Sequence, residues 1–335
     1  METLLELKEK IRRFYSRNEI YLVPAMKFVL AFVLFLVINS NIGFMEQLNS
    51  LPIILILALL CSILPVNVTV IFGALLSLAH LYALSAEVFL VGAVVFLLVG
   101  LLYFRFAPKE GHFAILTPIC FVFRIPYVMP VAEGLLCKPY AIFSVISGTF
   151  VYYFLDGVKQ NAAVLGSTAE DDTATSKFTS AFNQLIGNKE MYLVLAAFVL
   201  AMLFVYCLRQ MSIDHSWTIA IATGILIQFA VLFTGYLLLG ITGKSLQLVI
   251  GCIVSIVISY FLRFLFFHVD YTRIERVQFE DDEYYYYVKA VPKISLTQSK
   301  KQIKKFNGKT KSENKVRITK EQFAKDMDID RNLLK

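Results

Sequence analysis

Phe113-Ala-Ile-Leu-Thr-Pro118-Ile-Cys120-Phe-Val-Phe-Arg124-Ile-Pro126-Tyr-Val-Met-Pro130-Val-Ala-Glu133-Gly-Leu-Leu-Cys137 is the stretch on which the fold turns. It is apolar enough for lipid and long enough for one crossing, but proline removes a backbone donor and clashes with the preceding helical turn. Read as one helix, it carries the chain across a bilayer. Read as two short pieces meeting at Arg124 to Pro126, it returns the chain to the side it came from.

The surrounding sequence shows that a bilayer is the right solvent. The chain is 58% hydrophobic and only 17% charged, with a mean hydropathy of +0.66, which excludes an ordinary water-soluble domain. Clear spans run over 21–39, 66–84, 87–104, 140–155, 191–208, 217–239 and 246–267, and the short segments 51–64, 113–123 and 127–137 each adjoin proline. No cleavable leader is expected, because the first segment is densely charged and the apolar run after it is too long. Leu4, Leu7, Ile11 and Phe14 recur at helical spacing and predict an amphipathic helix over 1–19, on the membrane surface or in solvent.

Sidedness follows from the basic residues, which are retained on the cytoplasmic side near span ends. With the N-terminus inside and 113–137 crossing once, the sixteen Lys and Arg residues of 270–335 would be exported. With 113–137 reversing, they stay inside, together with Arg105, Lys109, Lys138, Arg209 and Arg263, while Lys159, Lys177, Lys189 and Lys244 lie outside. The sequence therefore predicts an all-α polytopic membrane protein of about ten membrane segments, over 20–269. Both termini are expected to be cytoplasmic in a bacterial plasma membrane. The stretch 113–137 is either a re-entrant hairpin or two short crossings.

Leu64-Pro65-Val66-Asn67 and Arg124-Ile125-Pro126-Tyr127 each precede a glycine placed eight residues after the proline, Gly73 and Gly134. A unit over 51–104 repeated with inversion over 113–155 would bring two broken helices together, an arrangement that marks midplane sites in transporters. It would place Pro65, Asn67, Pro126 and Pro130 near the bilayer centre, on a substrate pathway. Ionisable residues within lipid are costly and so draw attention; here they are His80, Arg124, Glu133 and Asp156. Arg124 and Glu133 could pair, or bind an ion or polar substrate. On the plainer alternative, Arg124 snorkels and Glu133 sits at the interface beside Lys138. Asp156 reads as a span end, His80 as a packing residue, and Asp214 as the start of the span anchored by Trp217.

The five cysteines lack CxxC spacing and read as small core residues. Neither a metal nor another cofactor is expected, and no zinc-protease, serine-hydrolase or phosphate-loop motif is present. An enzyme is accordingly not predicted. The polar loop 160–189 carries Glu170-Asp171-Asp172 without calcium-loop spacing, then Phe178, Phe182, Leu185 and Ile186 at helical spacing. Beyond the spans, alternation about an acidic turn predicts a β-hairpin over 270–296. A disordered basic linker over 297–318 follows, in which Lys300, Lys301, Lys304 and Lys305 suit anionic lipid rather than nucleic acid. A capping-box pattern at Thr319 then opens a terminal helix over 319–335.

Val277-Gln-Phe-Glu-Asp-Asp-Glu-Tyr-Tyr-Tyr-Tyr-Val-Lys-Ala-Val-Pro-Lys293, with Leu64-Pro-Val-Asn67 and Trp217-Thr-Ile-Ala220, resembles a family of uncharacterised membrane proteins of Gram-positive anaerobes described as ABC-transporter-permease-like. The resemblance implies a transport-associated component working with a separate ATPase or an envelope protein, and it assigns no site residue. The coupling-loop signature of importer permeases is not evident. The alternative expectation is a membrane scaffold whose tail binds a partner or anionic lipid.

Overall fold

The protein is described by a computed structural model, which covers residues 2–165, 187–211, 213, 215–241, 243–266, 275–280 and 285–290. Asp214, most of the polar loop with its acidic trio and amphipathic segment, the basic linker with Lys300, Lys301, Lys304 and Lys305, and the terminal helix over 319–335 lie outside the described residues. Two units divide the chain, Met1–Val269 and Asp270–Lys335. In the second, β1 (Glu275–Glu280) and β2 (Tyr285–Ala290) pair antiparallel, with Val277 opposite Val288 and Glu280 opposite Tyr285.

The first unit is helical. Seven helices are long and apolar enough to cross a membrane: α2 (Glu19–Asn41), α4 (Val66–Leu84), α5 (Ala86–Phe106), α8 (Ile142–Gln160), α10 (Lys189–Gln210), α11 (Ser216–Leu239) and α12 (Ser245–Phe266). Between them stand α3 (Leu51–Ile63), α6 (Gly111–Val122), α7 (Val128–Leu136) and the single turn α9 (Ala162–Leu165), with α1 (Glu2–Arg17) preceding all. The outward faces are leucine-rich: Leu97 and Leu101 of α5, and Leu237 and Leu238 of α11, are all exposed. So broad an apolar exterior suits lipid rather than water. The chain is a multi-pass integral membrane protein.

Side-chain contacts fix the direction of each helix. We call the end at which α2 begins proximal and the end at which it finishes distal. Lys27 Nζ donates to the Leu64 carbonyl at 3.2 Å, and Ser62 Oγ to that of Pro24 at 2.9 Å, so α3 returns to the proximal end. At the distal turn Gly43 has φ +46°, and a Cβ there would meet the Asn39 carbonyl oxygen at 2.6 Å, so glycine is required. His80, near the end of α4, pins that turn. Its Nδ1 accepts from the Met45 amide at 3.1 Å, and its Nε2 lies 2.8 Å from Asn39 Oδ1. His80 is thus a satisfied packing residue. Tyr103 OH then donates to Asn67 Oδ1 at 2.7 Å, which returns α5 to the proximal end.

The hairpin of α6 and α7 comes next, and its two ends meet. Cys137 Sγ, just after α7, lies 3.2 Å from Glu110 Oε2, just before α6. The 113–137 stretch therefore reverses. Past it, α8 runs to the distal end, where Lys159 Nζ bonds Asn41 Oδ1 at 3.1 Å. Lys244 Nζ, opening α12, holds both oxygens of Glu190, in the first turn of α10, at 2.6 and 2.7 Å. Helix α12 ends proximally, where Lys8 of α1 lies 5.7 Å over the Phe264 ring. Along α1 the apolar Leu7, Ile11 and Phe14 are exposed, uncovered by the rest of the protein.

Candidate functional site

At twelve and nine residues, α6 and α7 extend about 18 and 14 Å, well short of a hydrocarbon core of about 30 Å. Their depth can be read from what meets the turn. The Tyr127 carbonyl receives Gln228 Nε2 at 3.3 Å and Ser255 Oγ at 3.1 Å, and these two residues sit at the midpoints of α11 and α12. The hairpin thus ends part-way through the bundle, level with the middles of α11 and α12. Non-helical backbone at such depth requires protein or a cavity around it, and every residue from Val128 to Leu135 is buried.

The turn itself is a left-handed helix stop. The Ile125 amide bonds the Cys120 carbonyl at 2.8 Å and the Arg124 amide that of Phe121 at 3.0 Å. Arg124, with φ +62°, occupies the position that glycine normally fills in this motif. At the other end of α7 the two carbonyls of Leu135 and Cys137 accept from the Arg209 guanidinium. That guanidinium also lies 5.5 Å over the Tyr206 ring and 5.9 Å over Trp217. A cation at a helix C-terminus answers the orphan carbonyls there.

Glu133 points from α7 into this packed interior. Its side chain is wholly buried; Oε1 accepts from Ser144 Oγ of α8 at 2.6 Å, and Oε2 has no partner. Other buried polar atoms without partners are Gln228 Oε1, Ser259 Oγ and Thr149 Oγ1, all on helices that pack against α7. Such groups are rare in a folded interior. From the distal end a polar series descends toward the same helix. Lys244 and Glu190 form an ion pair, and Tyr153 OH donates to Glu190 at 3.2 Å.

The six residues expected on a pathway do not form one cluster. Pro126, Pro130 and Glu133 belong to the buried hairpin. Arg124 is at its tip but exposed, nine residues before Glu133, and the two make no ion pair with each other. Glu133 is wholly buried, against Ser144 in the first turn of α8. Pro65 and Asn67 lie at the proximal end and not at half-depth: Pro65 is exposed, and Asn67 is held by Tyr103 beside Gly111. The break at Pro65 falls at an end because Leu64 and Ser62 meet Lys27 and Pro24 near the start of α2, and the chain then continues in the nineteen-residue α4. The proposed inverted pair of broken helices is therefore unequal in depth. Gln228, Ser255, Ser144 and Arg209 escaped sequence reasoning as site residues. Gln228 was the accessible signal, the one side-chain amide inside the apolar α11.

Among the described residues no group of three His, Cys, Asp or Glu side chains is arranged to hold a metal ion. Compared with models of protein families, with curated proteins and with solved structures, the chain matches none.

Proposed function

We propose that this multi-pass membrane protein is a transport-associated component, and that its working element is the re-entrant hairpin α6–α7 with Glu133 as the ion or proton site. The carrying observation is the carboxylate of Glu133, wholly buried between α7 and the first turn of α8 with one oxygen unmatched. An uncompensated charge there is costly, and a proton or small cation on Oε2 removes it. Discontinuous helices are a recurring element of transport pathways. The permease-like resemblance noted for 277–293 points the same way.

The proximal face is cytoplasmic in this reading. Lys27, Arg105, Lys109, Lys138, Arg209 and Arg263 are all at proximal helix ends, against Lys159, Lys189 and Lys244 at distal ones, as the retention of positive charge requires.

The test uses dicyclohexylcarbodiimide, an apolar reagent that attacks protonated carboxyls within membranes. In the reconstituted full chain, Glu133 is expected to be modified, and added lithium, sodium or potassium, or raised pH, to protect it. Deleting the gene in its native host should produce an uptake or efflux defect that wild type rescues and Glu133→Gln does not. Full rescue by Glu133→Gln, with no modification of Glu133 in the purified protein, would sink the assignment.

A further inference from the structure

A second feature lies apart from Glu133 and does not depend on the transport reading. Asn18 alone separates α1 from α2, and its amide bonds the carbonyls of Phe14 and Tyr15 at 3.1 Å. Farther back along α1, Lys8 Nζ stands 5.7 Å over the ring of Phe264, near the proximal end of α12. Helix α2 packs on α3, α4 and α6, whereas α12 packs on α11 and α7. A helix tied to both groups runs across the proximal end of the bundle rather than prolonging α2.

The side chains of α1 are sorted around its axis. At 3.6 residues per turn, Leu7, Ile11, Phe14 and Tyr15 fall in one stripe about 100° wide, and all four are exposed. Lys8 and Arg12 follow this stripe on one side, and Lys10 and Arg17 on the other. Glu9 lies opposite it, paired with Arg13 at 3.5 Å. From Lys8 to Arg17 five residues are basic and Glu9 alone is acidic, so the negative charge is on the face turned away from the stripe. Water gives an apolar stripe nothing to pack on, and a protein groove does not call for basic residues along both margins. Acyl chains beneath a layer of phosphates call for both, with the lysine and arginine stems reaching outward from the apolar level. The stripe also lies between two parts of the apolar exterior. Ile20 and Tyr21 at the start of α2 are exposed, as are Phe261 and Phe266 at the end of α12.

We infer that α1 lies in the interfacial layer of the proximal leaflet, with Leu7, Ile11 and Phe14 among the acyl chains and Lys10, Arg12 and Arg17 gathering anionic phospholipid around it. Of the two settings the sequence allows for this helix, membrane surface or solvent, this selects the first and gives it a lipid preference.

The experiment uses the full-length protein with its five native cysteines replaced, in nanodiscs of mixed phosphatidylglycerol and phosphatidylcholine. Bimane is attached at Ile11→Cys, on the stripe, or at Ser16→Cys, on the opposite face. A doxyl quencher near the carbonyl end of one acyl chain is carried by either lipid at equal mole fraction. Quenching at position 11 is expected to exceed that at position 16 severalfold, and phosphatidylglycerol to quench position 11 more than phosphatidylcholine does. A basic residue adds about fivefold to the preference for anionic lipid, so Lys10→Gln with Arg12→Gln and Arg17→Gln should narrow that difference at least severalfold. All three side chains are exposed, so thermal stability should be unchanged. Aqueous iodide reads the other settings. Iodide quenching of position 11 equal to that of position 16 would place the stripe in solvent. Protection of position 11 from both iodide and doxyl would mean that protein covers it, whether the second unit of this chain or another copy. Either result overturns the inference, as does equal quenching of position 11 by the two lipids.

Discussion

Two proline breaks with the same local sequence logic end at different depths. At Leu64-Pro65 the chain finishes α3 at the proximal end, and the exposed carbonyl of Leu64 is met by a lysine reaching along the bundle edge. At Ile125-Pro126 it stops part-way, and the carbonyl of Tyr127 is met by an amide and a hydroxyl from the middles of two long helices. Proline decides where a helix is interrupted. Whether the interruption can stay inside a membrane depends on donors supplied by other helices, because lipid supplies none. The glycines that follow differ in the same sense. A Cβ on Gly73 would touch the tip of Leu34 at 3.0 Å, a flexible neighbour, whereas one on Gly134 would meet Val205 at 2.9 Å and the Met202 carbonyl oxygen at 3.0 Å.

The contrast breaks outright if the second hairpin crosses the membrane. On a background with the five native cysteines replaced, single cysteines at Lys109 and Lys138 are expected to react with a membrane-impermeant maleimide from the same side, and one at Lys159 from the opposite side. Labelling of positions 109 and 138 from opposite sides would refute the re-entrant turn. A smaller effect separates the glycines. Gly134→Ala should destabilise the purified protein by about 1 to 3 kcal/mol, as overpacking against fixed neighbours does, and Gly73→Ala by less than about 1 kcal/mol, since a leucine tip can shift. Thermal unfolding in detergent reads both, and equal losses would mean that α7 is no more tightly enclosed than α4. The smallest effect concerns the carbonyls. Removing both donors with Gln228→Leu and Ser255→Ala should cost about 1 kcal/mol, within the modest range of hydrogen bonds in membrane proteins. Lys27→Met should cost less, because water can replace it at the proximal end. Hydrogen exchange at 127–131 should rise in the double variant alone.

Much of this architecture was legible in the sequence because lipid leaves few options. The seven long helices follow from apolar runs, and the reversal at Arg124 to Pro126 follows from charge retention combined with parity. What sequence could not supply was depth. Pro65 and Pro126 look alike locally, and only the lengths that α4 and α7 reach, nineteen residues against nine, tell them apart. Arg124 and Glu133 suggested a pair because they have opposite charge on one short element. Yet Arg124 sits in the turn and Glu133 near the far end of α7, and packing gave Glu133 a serine instead. Ser144, Gln228 and Ser255 carry no charge, so a search for ionisable groups passes over them, though in lipid an amide or hydroxyl is nearly as informative.

The ties that hold α7 in place also impose an order on how the protein is made. Arg209 reaches Leu135 across 74 positions of chain, Gln228 reaches Tyr127 across 101, and Ser255 reaches it across 128. At about 5 to 20 residues per second of synthesis, the hairpin emerges many seconds before its last donor exists. Until then its turn has no partners at half-depth and must remain at the translocon, beside water, or against a chaperone. Helices α10 to α12 are therefore the walls of a room built after its occupant arrives, and a ribosome stalled before Ser255 would leave the central element of the fold unseated.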